Sequence, residues 1–318
     1  MIDTVLPHID DLRLMAKLLE ADAVLQSHDG RMGQAVIAWR ALVNTGRSIG
    51  DEPLAISQIV RMGTVERGVA CLEWILAGGR TAESSLSSIQ GMLQEEARQP
   101  ILEIMVRGER GGIHHFLTAL EAGDVDLPKL AKGAGTDNRL QIPAGASTRP
   151  AHAWLLRHLT RLVEITRLPP HEQTQPLAKW EEAVGGAPEA ARRWVEWLRQ
   201  LGAAPPQLGR RCQLNQARLR CAVAALAVER YHLARGGWPS DLAAVVPAFL
   251  KEVPNDPYDG RPLRYRRVAG GVVVYCLGPD GADNQGALDR SAKPPDGTDV
   301  GFQLWDVSKR RQPSGGGP

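Results

Sequence analysis

The sequence predicts an α+β chain with more than one domain. Helices fill a mainly α-helical N-terminal region, and a long helix then packs on a three-stranded antiparallel sheet. Three observations carry this. Apolar residues recur at three- and four-residue steps through most of the chain up to Ala234. The period then shortens, with β-branched residues, in "PLRYRRV", "GVVVYCL" and "DVGFQLW". Gly and Pro punctuate the junctions, as in "SHDG", "GDEP", "AGGRT" and "RGGWPSD".

Residues 8–27 place Leu12, Met15, Leu18, Leu19 and Leu25 at helical spacing, with Gly30 suited to the left-handed residue beyond the helix. Residues 32–49 put Val36, Trp39, Leu42 and Val43 on one face, and Gly50 stops them. Asp51 reads as the N-cap, and Pro53 as the first turn, of a third helix reaching about Ala77. Amphipathic stretches at 82–96 and 101–121 complete a helical region at 1–123. Its first pair, through "HDGRMGQAVIAWRALV", is weakly similar to a tetratricopeptide hairpin. One pair does not make a solenoid, so a repeat and an irregular bundle both stay open.

Residues 124–150, including "KGAGTDNRLQIPAGASTRP", read as a linker. Helix resumes at "AHAWLLRHLTRLVEITRL" and "LPPHEQ" ends it. A further helix at about 188–201 carries Trp194, Trp197 and Leu198, within a helical segment at 151–207. From about Leu208 to Ala234 one stripe holds Leu214, Ala217, Cys221, Ala224, Val228 and Tyr231, with Arg218, Glu229 and Arg235 outside it. A short helix at 240–250 and the three strands close an α+β module at 208–306. The tail at 307–318 is expected to be disordered.

Composition excludes several classes. With 318 residues and a net charge of +2, the chain has room for two domains and no field that calls for nucleic acid. No apolar run approaches the roughly 20 residues of a membrane span. The N-terminus has acids where a signal peptide has a basic and apolar start, so the expectation is a soluble chain without an export signal. The 4 cysteines contain no CxxC. Cys212 and Cys221 fall about 13 Å apart along a helix, too far to bridge, so four buried free thiols are expected. They leave the redox compartment undecided.

No HExxH, GxSxG, P-loop or GxGxxG occurs. His114 and His115 are adjacent and diverge by about 100° on a helix, so they form no i, i+4 metal pair. Glu95 with Glu96, and Glu181 with Glu182, read as solvated faces. Trp154, Trp180, Trp194 and Trp197 read as core packing or as a peptide groove. The run Arg264–Arg267, "RYRR", reads as a solvated edge. No catalytic set assembles from these residues. An enzyme site in the helical region would need a cleft drawing on His114, His152, His158 or Glu164.

The C-terminal residues resemble a known family. Tyr231, Gly236, Trp238 and Pro239 match a helix-ending Tyr-x-x-x-x-Gly-x-Tyr-Pro motif. Pro254, Asp256 and Pro257 match a Pro-x-Asp-Pro turn. Leu277, Gly278, Asp280 and Gly281 match a Ser-Leu-Gly-x-Asp-Gly loop, with Cys276 in place of the serine. Asp299 and Val300 match an Asp-Ile pair opening the last strand. In this order the motifs are similar to the globular domain of the type II secretion major pseudopilin, over about 210–306. The leader, processing site and apolar N-terminal helix of that family are not matched in this sequence. The resemblance therefore implies the head fold rather than a filament subunit.

Between the second and third strands lie Asp280, Asp283, Asp289, Asp296 and Asp299, with no glutamate. The residues alone fit either a hard-cation loop or a solvated Asp/Gly loop. The resemblance implies calcium, held by the carboxylates of Asp280, Asp283 and Asp299 and the carbonyls of Leu277 and Val300. The expected function is a non-enzymatic interaction or structural protein with a protein partner. The resemblance suggests a secretion or cell-envelope assembly. An enzyme with a site in the helical region, and a plain helical-repeat adaptor, are the alternatives.

Overall fold

The computed structural model describes residues 6–125, 148–189, 191–192, 205–288 and 298–310. The expected Trp194 and Trp197 helix, most of the linker, Asp289, Asp296 and the tail beyond 310 lie outside these. The described chain is mostly helical with one small antiparallel sheet. Its helices are α1 (Pro7–His28), α2 (Met32–Arg47), α3 (Ala55–Gly78), α4 (Glu83–Ala97), α5 (Ile101–Ala122), α6 (Thr148–Thr166), α7 (Pro170–Gly185) and α8 (Pro205–Arg235). The strands are β1 (Arg264–Val268), β2 (Gly271–Cys276) and β3 (Val300–Trp305). No described helix is long and apolar enough to cross a membrane.

The chain divides into two compact units. One comprises Met1–Pro7, Asp51–Gln58 and Pro100–Arg211, and the other His8–Gly50, Ile59–Gln99 and Cys212–Pro318. The second unit thus draws on both the expected N-terminal region and the expected C-terminal module. The reason lies in α8. Every residue from Cys221 to Glu229 is buried, so this stretch has no solvent face. The single stripe expected from the sequence accounts for only one side of it. The sheet contributes Val272, Val274, Cys276, Val300, Phe302 and Leu304 to the same core, and α2, α3 and α4 contribute Trp39, Leu72 and Leu86. Polar contacts run along the seam: Gln216 donates to the Ala97 carbonyl, and Arg218 and Arg230 pair with Glu66 and Glu83.

Local sequence sets several boundaries. Gly30, Gly50 and Gly236 all take positive φ where helices stop. Gly68 is required by close packing: its carbonyl accepts from the Trp39 indole at 2.7 Å, and a Cβ there would sit 2.6 Å from Val43 Cγ2. The start of α3 differs from expectation. It begins at Ala55, with the Leu54 carbonyl accepting from Gln58, and Asp51 lies in the preceding turn.

In the first unit α5 and α6 pack through Met105, Val106, Ile113 and Leu117 and through Leu155, Leu159 and Leu162. Helix α7 falls in the segment expected to be helical, but its start differs from expectation, because "LPPHEQ" reads as a stop. Pro170 instead opens the helix, where a missing N–H leaves no bond unmade, and Pro176 lies inside it. Trp180 is buried there and donates to the His158 carbonyl.

The sheet order is β1-β2-β3, with Tyr265 opposite Val274 and Val274 opposite Phe302. All of β2 is buried, so both faces of the central strand are covered. Helix α8 covers one. The loop after β2 covers the other: Gly286 lies against Val273 and Tyr275, and Leu288 against Gly301. The outer edge of β3 is met by a helix side chain, since Gln303 N–H donates to Glu73 Oε1 at 2.7 Å.

Charges expected to face solvent are instead buried in pairs. Glu96 accepts from Arg61 Nε and Nη2, both at 2.8 Å. Glu229, placed outside the apolar stripe by its spacing, is met by Arg310 Nη2 at 2.7 Å. The expected tail therefore begins later than residue 307: Val307–Lys309 is a short 3-10 turn and Arg310 is 5% exposed. Its guanidinium also donates to the Gly79 and Trp305 carbonyls. Truncating one member of such a pair strands the other charge, at a cost of about 3–5 kcal/mol. Arg310→Ala is expected to lose that much in urea unfolding, and Glu229→Leu with Arg310→Leu much less. A loss below about 1 kcal/mol for Arg310→Ala would show that the pair does not form in solution.

Candidate functional site

The aspartate loop leaves β2 at Leu277 and returns to β3 at Val300, and its described carboxylates, Asp280, Asp283 and Asp299, each have a defined position. Asp299 is only 2% exposed. Its Oδ1 accepts from the Asn284 amide at 3.2 Å and its Oδ2 from the Gly286 amide at 2.6 Å. Asp299 thus holds down the part of the loop that lies on the sheet. Asp283 Oδ1 accepts from the Gln285 amide at 2.8 Å and from the Tyr275 hydroxyl at 3.3 Å. Asp280 is exposed and accepts from the Ala282 amide at 3.1 Å. The Val300 carbonyl faces inward and accepts from the Cys221 and Cys276 thiols. The Leu277 amide donates to Asp256 Oδ2 at 2.8 Å.

Sequence reasoning missed the cation in this region. Arg264 Nη1 and Nη2 lie 2.6 Å from Asp256 Oδ2 and Asp259 Oδ2, and its Nε lies 3.5 Å from Asp283 Oδ2. The "RYRR" run is therefore not a plainly solvated edge. Arg266 donates to Gln285, and Arg267 to the Trp238 carbonyl. Asp256 has no exposed surface and also accepts from the Tyr258 amide, so it fastens the Pro-x-Asp-Pro turn to the end of β2. No periodic pattern reveals this site. The available signal was Asp256 within a turn motif.

The carboxyls respond differently to these surroundings. Burial pushes Asp256 up, and the Tyr258 and Leu277 amides and Arg264 only partly offset it. Burial likewise pushes Asp299 up against the Gly286 and Asn284 amides. Asp259 loses less to desolvation and is pulled down by the Arg261 amide and by Arg264. At Arg264 desolvation works against the charge, but the hydrogen bond to Asp259 and the charges of Asp259 and Asp256 outweigh it and push the pKa up. Arg264 thus stays charged while Asp256 is held less firmly ionised than Asp259, because burial falls most heavily on Asp256.

The donor chemistry suits a hard cation, since Asp280, Asp283 and Asp299 offer carboxylate oxygens with unused lone pairs. The buried Thr298 hydroxyl, just before Asp299, has no hydrogen-bond partner among the described residues. The arrangement is already internally bonded, however. Among the described residues no three carboxylates, imidazoles or thiols converge on one point.

The first unit holds a separate polar cluster. His152, 8% exposed, lies 3.0 Å through Nδ1 from Glu121 Oε1 and 2.9 Å through Nε2 from His114 Nδ1. The two ring nitrogens of His152 thus join the Glu121 carboxylate and the His114 ring in one chain of polar contacts. A cavity of about 430 Å³ is lined instead by His158, Arg161, Lys179 and Trp180, among others, and by none of Glu121, His152 and His114. His158 Nδ1–H donates to the Trp154 carbonyl, and the two rings stack at 3.7 Å. The structure therefore links His114 with His152 but gives the cavity only His158.

No family model matches this chain, and neither the curated proteins nor the solved structures give a significant match.

Asp299→Asn turns one acceptor into an amide facing a backbone N–H. A loss of about 1–3 kcal/mol is expected, with faster hydrogen exchange at Asn284 and Gly286. The pH dependence has a definite sign. Asp299 takes up its proton at higher pH when folded than when unfolded, so protonation favours the native state. Its contribution is fully present below the unfolded pKa near 3.9 and is lost as pH rises through the folded pKa. Stability of the wild type relative to Asp299→Asn should therefore fall with rising pH across that window. A rising difference would contradict the placement of Asp299.

Proposed function

We propose that this chain is a non-enzymatic interaction protein, with a C-terminal module of the pseudopilin-head type and N-terminal helices that engage a protein partner of an envelope or secretion assembly. One observation carries the interaction reading, the inverted packing of α1. Ile9, Ala16 and Ala23, spaced by sevens, are buried, whereas Leu14, Met15, Leu18 and Leu25 are more than half exposed. Small residues let α1 lie close to its own core, and the larger ones are left on the outside. A contiguous exposed apolar strip marks a surface that another protein covers. The partner suited to it presents an apolar helix or groove.

The test is direct. Leu14→Ser with Leu18→Ser should leave urea stability within about 0.5 kcal/mol, as for surface sites. Hydrogen exchange of the wild type, alone and with candidate assembly components, should show protection over residues 12–26 that the variant lacks. A loss of several kcal/mol would mean that these leucines are core residues in solution, and the reading would fail.

Calcium belongs to the proposal as a structural ligand, held by Asp280, Asp283 and Asp299 with the Leu277 carbonyl; the Val300 carbonyl, expected as a further ligand, instead accepts from the Cys221 and Cys276 thiols. The supporting observations are the oxygen-rich donor set and the unpartnered Thr298 hydroxyl. Calcium would supply a hard positive centre that relieves repulsion among the carboxylates. Thermal melting at millimolar calcium should give a higher Tm than with a chelator, and Asp280→Ala should remove the difference. An unchanged Tm would withdraw calcium and leave Arg264 as the cation of this region.

A further inference from the structure

Cys221 lies in the buried stretch of α8, and Cys276 is the last residue of β2, paired with Val300. Both have no exposed surface. Their thiols donate to the same carbonyl oxygen, that of Val300, at 3.5 and 3.3 Å. The nearby Cys221 thiol together with burial pushes the Cys276 thiol well up. The other two cysteines have different neighbours. Cys212 Sγ lies 3.7 Å from Met62 Sδ, and Cys71, raised by burial to about 12, faces the charge of Glu20. One pair of thiols, on the helix and on the central strand it covers, is thus brought side by side at the centre of the core.

We infer that Cys221 and Cys276 form a disulfide when the chain folds in an oxidising medium, clamping α8 to the centre of the sheet. The reaction is thiol–disulfide exchange with a small-molecule disulfide. The thiolate of one cysteine attacks that disulfide, releasing one thiol and leaving a mixed disulfide. The second cysteine then displaces the remaining thiol. One S–S bond breaks and one forms. Two electrons pass from the two cysteines to the small disulfide, and their two protons end on the two released thiols. Exchange must precede burial, because the native core closes both sulfurs to reagent. The bridge closes a loop that carries the Pro-x-Asp-Pro turn, β1 and β2. It restricts the unfolded chain and fixes the position of α8 on the sheet.

The test uses the full chain, unfolded with reductant and refolded in a mixture of oxidised and reduced glutathione. It is then alkylated with iodoacetamide in denaturant without further reductant. Mass analysis should find two alkyl groups, on Cys71 and Cys212, and one cross-linked peptide joining Cys221 to Cys276. Refolding with excess reductant should give four alkyl groups. Tm should be higher for the oxidised wild type than for the reduced. Cys221→Ala with Cys276→Ala should show no such difference. Four alkyl groups after glutathione refolding, a glutathione adduct without the cross-link, or a cross-link to Cys71 or Cys212 would each overturn the inference. The alkylation readout is made on the wild type and does not depend on how well the variant folds.

Discussion

The structure of the second unit depends on one constraint: the stretch Cys221–Glu229 has no face that can meet water. An ordinary surface helix buries one stripe and can rest on a single layer. This one is apolar or small on every side, with Ala222, Ala224, Ala225 and Ala227 letting neighbours approach closely. A three-stranded sheet covers one side only. The remaining sides require α2, α3 and α4, which is why residues near the start of the chain share a core with the last strands. Burial also draws in Glu229, and a buried carboxylate demands a cation. Arg310 meets that demand and thereby orders the backbone just past β3.

The same logic of cover explains the loop. The central strand has a second apolar face, at Val273 and Tyr275, against which the loop residue Gly286 lies. A polar loop can cover such a face only if its backbone amides find acceptors near the sheet. Asp299 provides two such acceptors at once, and Asp283 takes the Gln285 amide. Short carboxylates serve here because aspartate reaches a main-chain amide a few residues away without a long, mobile stem. The absence of glutamate from this stretch is then a matter of reach as well as charge.

Much of the fold was legible because it is written locally. Periodicity located helices α1 to α6 and α8, and the glycines at positive φ marked their ends. The three strands followed from the change of period and the "AGG" turn. What was not legible depends on partners far apart in sequence. Glu96 and Glu229 read as exposed because amphipathic reasoning sends charge outward, and neither Arg61 nor Arg310 stands near them in the chain. The Arg264 contacts failed for a related reason: an alternating strand edge looks solvated until the turn at Asp256 folds against it. The start of helix α7 was missed by a local rule applied too far, since prolines that stop one helix can open the next. Of the site, the residue types and the loop were readable. The division of its carboxylates between backbone amides and a guanidinium was not, and neither was the chain Glu121–His152–His114, assembled across two helices.

The acidic end of the sheet therefore has two electrostatic regimes. At the turn, Asp256 and Asp259 share Arg264, and their balance is complete within the protein. In the loop, Asp280 is exposed and, among the described residues, accepts from the Ala282 amide. Asp283 joins the two, because it is bonded to the loop and lies at the edge of the guanidinium. Two carboxylates about 4 Å apart repel by roughly 1 kcal/mol in water and by about four times that at an effective dielectric near 20. Charge brought to Asp283 acts on the same guanidinium that holds Asp256 and Asp259 at the turn before β1.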